Sequence, residues 1–197
     1  MTGNPMNAIR SFIAIELPKS IQVQLADIIR QLNGPRTTAV RWVPPTNIHL
    51  TIKFLGDVSP TNMEMLMKML KLEVSQVPHF SVSVGELGAF PTLKRPRVLW
   101  IGIQAPPQLA SLVHLVEAET DKLGYVNEER PFSPHLTLGR VSQNATPEQV
   151  HQVAEVLAGV QAGELGVFEV NEVVLFKSEL RSTGAEYTPL LKVALIK

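Results

Sequence analysis

Ile48-His49-Leu50-Thr51-Ile52-Lys53-Phe54-Leu55 and Pro134-His135-Leu136-Thr137-Leu138-Gly139-Arg140 repeat the tripeptide His-Leu-Thr, once in each half of the chain. In both copies apolar residues alternate with other types, the period-two signature of a β-strand. That period puts His and Thr on one face and Leu on the other. Each predicted strand therefore offers an imidazole beside a hydroxyl, and function is sought there.

Outward from the first copy, Phe12 to Leu17 is a nearly continuous apolar run closed by Pro18, as in a buried strand. Ile21, Leu25, Ile28, Ile29 and Leu32 fall at helical spacing before Gly34-Pro35, and Arg41-Trp42-Val43 leads through Pro44-Pro45 into the first motif strand. Ser59-Pro60 opens a helix through Met63, Leu66, Met67 and Leu70; its methionines read as core filling. Strands are predicted at Phe80–Val84 and Arg97–Ile103, with a Gly-, Pro- and base-rich loop between them. A helix from Pro106-Pro107 ends at Gly124, and Thr146-Pro147-Glu148-Gln149 reads as a capping box opening another helix. Strands at about Phe168–Lys177 and Leu190–Ile196 follow, joined by a polar turn around Ser182-Thr183-Gly184.

In this order each motif strand precedes a Pro-initiated helix and then two strands. The echo predicts an α+β chain of two similar lobes rather than a doubly wound sheet, with the motif strands facing each other across a cleft. At 197 residues and 45% apolar content, the chain has the length for one domain with a substantial core or for two small lobes sharing one.

The chain has no cysteine, which excludes disulfides and thiolate metal sites and suits a reducing, cytoplasmic setting. Its apolar runs are too short for a membrane span, and Met1-Thr2-Gly3-Asn4-Pro5 lacks a signal pattern. With 18 basic and 18 acidic residues, it is not a protein that sheathes long nucleic acid. A local basic pocket stays open, from Lys94-Arg95-Pro96-Arg97 or from Arg130, Arg140, Lys177 and Arg181, although a solvated face is the ordinary role of such residues.

Two histidines flanking a reacting centre suit concerted acid and base catalysis, one imidazole taking a proton while the other gives one. Threonine hydroxyls and an arginine fork suit phosphoryl oxygens. The parts describe a phosphodiester site without a metal. A zinc reading fails on ligand count, since a catalytic shell takes three protein ligands and Asp57 is the only carboxylate near. His79, His114 and His151 have no motif neighbours and read as structural or exposed.

The paired His-x-Thr motifs, Phe54-Leu55-Gly56 after the first, Arg140 after the second, the Arg130-Pro131-Phe132 lead-in and the Tyr187-to-Leu190 tail resemble the 2H phosphoesterases. Within them the chain is most similar to the RNA 2',3'-cyclic phosphodiesterases, also called 2'-5' RNA ligases, from about Arg10 to Ala194. The resemblance implies a bilobal, pseudo-two-fold α+β fold over residues 1–197, with two antiparallel-rich sheets, outer helices and a central cleft.

It also implies hydrolysis of RNA 2',3'-cyclic phosphate ends to 2'-phosphates, with a reverse 2'-5' ligation; beside it, the expectation is a cytoplasmic monomer without cofactor or membrane partner. By motif, His49 corresponds to the proton donor, His135 to the proton acceptor, Thr51 and Thr137 to phosphate contacts, and Arg140 to the arginine of the second motif. The alternative is a protein that binds RNA ends or nucleotide phosphates without catalysis. Such a pair of histidines predicts a bell-shaped pH profile centred near neutrality. Strict strand parity puts Arg140 opposite His135 unless the strand bulges at Gly139, and gives Phe54 a core position.

Overall fold

The computed structural model describes residues 8–127, 130–182 and 184–197. The strands are β1 (Ile9–Glu16), β2 (Val40–Trp42), β3 (His49–Val58), β4 (Phe80–Thr92), β5 (Arg95–Gln104), β6 (His135–Val141), β7 (Glu164–Val170), β8 (Glu172–Arg181) and β9 (Gly184–Ala194). The α-helices are α1 (Lys19–Leu32), α2 (Pro60–Glu73), α3 (Pro107–Asp121) and α4 (Pro147–Gly159). A four-stranded sheet runs β3-β1-β8-β9 and a five-stranded sheet runs β2-β6-β5-β4-β7, every pairing antiparallel. Thus the two motif strands, β3 and β6, lie in different sheets.

The same connection builds both neighbourhoods. β1 and β3 are joined through α1 and pair antiparallel; β5 and β6 are joined through α3 and do the same. After the first motif strand, β4 and β5 enter the sheet of the second motif; after the second, β7 stays in that sheet, and β8 and β9 then enter that of the first. A single cluster of buried apolar side chains runs from Ile13 and Leu50 in one sheet to Ile101 and Leu136 in the other. The run Phe12 to Ile15 is continuous because β1 is covered on both faces. Ile13 and Ile15 enter the main core, while Phe12 and Ala14 join a second cluster with Val174 and Phe176.

The helix starts are as the sequence predicts. Ser59 caps α2 by accepting from the Asn62 N–H, and Thr146 and Gln149 form the reciprocal capping box of α4. In α2, Met69 is buried and Met67 only partly so. Among the described residues no helix is long and apolar enough to cross a membrane.

The structure corrects several strand boundaries. The expected loop between Val84 and Arg97 is a hairpin, β4 to β5, and its glycines mark close approaches rather than breaks. At Gly88 a Cβ would lie 2.1 Å from the Trp100 ring, so only glycine lets that indole lie flat. The expected strand Phe168–Lys177 is two strands, broken at Asn171 where the chain changes sheets. The apolar pattern runs through the break because one residue suffices for the crossing. Arg41-Trp42 belongs to the short β2, paired with β6 rather than merely leading into the motif. The last strand starts at Gly184, well before Leu190; of its turn, Thr183 lies outside the described residues.

Candidate active site

The two motif strands share one burial pattern. From the first position, His is partly exposed, Leu buried, Thr partly exposed, Ile52 or Leu138 buried, Lys53 or Gly139 buried, Phe54 or Arg140 exposed, and Leu55 or Val141 buried. Both carry the same irregularity. Along β1, the partners step from Lys53 to Thr51, leaving Ile52 unpaired; along β5, they step from Gly139 to Thr137, leaving Leu138 unpaired. One extra residue re-phases the alternation, so Phe54 and Arg140 return to the His and Thr face.

This settles the parity problem. Arg140 shares the face of His135 because the strand bulges at Leu138, next to Gly139. Gly139 itself is needed for packing, since a Cβ there would lie 2.8 Å from Val40 and 3.0 Å from Trp42. The core position expected for Phe54 is wrong for the same reason: it is 61% exposed.

Thr51 and Phe54 from β3 and His135 and Arg140 from β6 line one cavity of about 940 Å³. Arg97, Arg130, Phe132 and Phe90 line it too. So does His114, which reads from sequence as structural or exposed: it is exposed, but on the cleft wall. Of the basic cluster at Lys94-Arg95-Pro96-Arg97, Arg97 alone reaches this wall, steadied by donating to the Ser142 carbonyl at 3.0 Å. His49 and Thr137 share the faces of Thr51 and His135 but are not part of the cavity's lining. His79 and His151 pair with Glu169 and Glu155, away from it.

The histidines are held identically. His49 Nδ1 lies 2.9 Å from the Asn47 carbonyl and His135 Nδ1 lies 2.7 Å from the Ser133 carbonyl, each two residues upstream. A carbonyl oxygen only accepts, so each Nδ1 carries a hydrogen and each Nε2 is the nitrogen left for proton transfer.

Their surroundings differ. His49 stacks on Phe12 with centroids 4.6 Å apart, Phe12 stacks on Phe176 at 5.1 Å, and Tyr187 meets the imidazole edge-on at 5.2 Å. Burial in this aromatic nest lowers the His49 pKa from 6.5 to about 4, against the opposing pull of the Asn47 hydrogen bond. His135 is edge-on to Phe90 at 5.0 Å.

Tyr187 ties the halves together. Burial raises its hydroxyl pKa, while Arg140 and Arg10 act in the opposite sense, so the guanidinium from β6 is within electrostatic reach of a ring touching His49. In the sequence Tyr187 stands in a motif tail without a site role, and Phe12 and Phe176 are hidden in apolar strand runs.

Lys53, at the position matching Gly139, is buried and pairs with Glu117 of α3 while donating to the Val126 carbonyl at 2.7 Å. With its nitrogen turned toward Glu117, the Asn127 carboxamide donates to Glu117 Oε2 and, at 3.2 Å, to the Glu117 carbonyl. Among the described residues no three of His, Cys, Asp and Glu cluster as a metal site would need.

The family model of the LigT-like phosphoesterases matches twice, over residues 15–100 and 101–187. The chain belongs to this family. The two matches of this LigT-like phosphoesterase divide it within β5, so each contains one motif strand and the helix on either side of it. It is 31% identical over 182 residues to the RNA 2',3'-cyclic phosphodiesterase of Methanothermobacter thermautotrophicus, covering 92% of this chain and 96% of that one. With the Escherichia coli (strain K12) protein of the same name it shares 31% identity over 187 residues, covering 94% and 96%. The crystal structure of E. coli LigT complexed with 3'-AMP superposes with a TM-score of 0.78 at 28% identity, covering 97% of this chain and all of that one. The phosphate complex of E. coli LigT gives a TM-score of 0.73 at 27% identity, covering 96% and 99%.

Proposed function

We propose that the protein hydrolyses RNA 2',3'-cyclic phosphate ends to 2'-phosphates by two-histidine acid and base catalysis, and that it joins ends by 2'-5' ligation when the 5'-hydroxyl of a second RNA attacks phosphorus in place of water and the 3'-oxygen leaves as before. The observation that carries this reading is the matched fixing of His49 and His135, each with Nδ1 on a carbonyl and Nε2 left for chemistry. His135 takes a proton from water as the water attacks phosphorus. His49 protonates the departing 3'-oxygen, and the phosphate stays on the 2'-oxygen. Thr51, Thr137 and Arg140 hold the non-bridging oxygens. The names of the relatives and the LigT complexes support the substrate class. Residues 1–197 act as one bilobal unit, a cytoplasmic monomer.

The test is turnover of an oligonucleotide ending in a 2',3'-cyclic phosphate, with phosphorus NMR of the product. A 2'-phosphate is expected. A 3'-phosphate would reverse the orientation of the ribose between the histidines, and no turnover would leave only a nucleotide-phosphate binder.

The two imidazoles supply both proton transfers, so turnover is expected to survive EDTA. Loss on chelation, restored by one divalent metal, would require a different mechanism. Arg140→Lys keeps the charge but loses the planar fork, and kcat/KM should fall roughly ten-fold on the scale of one charged hydrogen bond. An unchanged value would remove Arg140 from the phosphate site.

A further inference from the structure

We infer that the α3 end of the cleft is a nucleobase subsite in which Glu117 selects bases that carry an amino group on the Watson–Crick edge. This rests on the phosphodiesterase reading and adds a specificity to it. At about 940 Å³ the cavity is at the upper end of the range for small-ligand sites, with room for a whole nucleotide beyond its phosphate.

Charge divides the cavity. Arg97 of β5, Arg140 of β6 and Arg130 supply guanidinium groups, whereas α3 and the segment after it supply His114, Glu117 and Asn127. His114 and Glu117 are three residues apart on α3 and share a face. A phosphate beside Glu117 would meet a carboxylate oxygen and no free donor, because the Lys53 side chain is 1% exposed and its ammonium is already engaged by Glu117 and the Val126 carbonyl. The α3 end therefore takes the uncharged part of the nucleotide.

The hydrogen-bond inventory says which kind of group fits. Glu117 Oε2 receives Lys53 and Asn127, while among the described residues no group donates to Oε1. Oε1 is not sealed in either, since Trp100 Nε1 is the only buried side-chain polar atom without a partner among those residues. An accepting oxygen on a cavity wall, its charge balanced by Lys53, suits a neutral N–H donor better than a cation. Cytosine, adenine and guanine present an exocyclic amino group on that edge. Uracil presents a carbonyl oxygen at the position of the cytosine amine and would set oxygen against oxygen. Carboxylate acceptance from the cytosine amine is an established direct contact, and a good base-edge pair discriminates by about 5- to 150-fold.

The experiment compares cytidine and uridine 2',3'-cyclic phosphates, with N4,N4-dimethylcytidine 2',3'-cyclic phosphate as a third substrate lacking the donor. The wild-type protein should show a KM about ten-fold lower for cytidine than for uridine, and dimethylation should abolish the advantage. Glu117→Gln keeps an oxygen for Lys53 but can also donate, so the cytidine-to-uridine ratio should fall toward one. Equal KM values for the natural pair overturn the proposal, as does a preference that survives dimethylation or Glu117→Gln. The substrate series needs no variant, so a folding defect in Glu117→Gln cannot obscure the answer. Turnover of both natural substrates without discrimination defeats this inference alone, and turnover of neither defeats it together with the phosphodiesterase reading.

Discussion

Replacing His49 or His135 by alanine should lower turnover of a 2',3'-cyclic phosphate by about 10²- to 10⁴-fold, the span that positioned general acids and bases contribute. The double replacement should cost little more than either single one. In a concerted displacement, water attacks as it loses a proton and the ribose oxygen leaves as it gains one. Removing either partner disables the same transition state, and residues acting as a unit are strongly non-additive. The supporting geometry is the shared Nδ1 to carbonyl bond, which fixes ring orientation and tautomer on both strands. Rates for the two single variants and the double variant decide it. Independent, multiplying losses would mean that the imidazoles serve separate steps, and a near wild-type rate in either single variant would remove that residue from the chemistry.

Much of this site is legible in the sequence, because a period of two with His-Leu-Thr fixes which side chains share a face. Parity holds for three residues and then misleads. The unpaired Ile52 and Leu138 reverse the phase just beyond the threonines, which is why Phe54 reads as core and Arg140 as misplaced. A bulge leaves little trace in composition. Gly139 hints at it in one strand, but in the other the matching position is Lys53, whose role depends on Glu117 across the fold.

The architecture is legible to a similar depth. Helix caps are local and are read correctly, as at Ser59 and Thr146. The exchange of strands between sheets is non-local: nothing in Val170-Asn171-Glu172 says that the chain leaves one sheet for the other. The aromatic nest has the same origin. Phe12 comes from β1, and Phe176 and Tyr187 from the β8–β9 hairpin far along the chain, and only their assembly shows that one motif histidine sits in a less polar place than the other.

That asymmetry sets the pH dependence. With a His49 pKa of about 4, only about one molecule in a thousand carries the proton on His49 at pH 7 in the free protein. The bound phosphate anion favours the charged imidazole and supplies what burial withholds. The kcat/KM profile, which reports the free protein, should therefore keep its acid limb near pH 4 rather than near neutrality, while the limb in kcat moves upward.

Stability follows the same titration. The folded pKa is depressed below the unfolded 6.5, so between about pH 6.5 and 4 the unfolded chain binds the extra proton. Stability is complete above that window and falls by about 2–3 kcal/mol as pH drops through it, since a tenfold weakening of proton binding corresponds to about 1.4 kcal/mol and one edge of the ring is open. His49→Phe keeps an aromatic ring against Phe12 but cannot titrate. Denaturant midpoints at pH 7.5 and pH 4 should show the variant gaining on the wild-type protein by that amount at the lower pH. A constant difference between the two proteins at both pH values would mean that His49 is solvated in the free protein and titrates as an ordinary histidine.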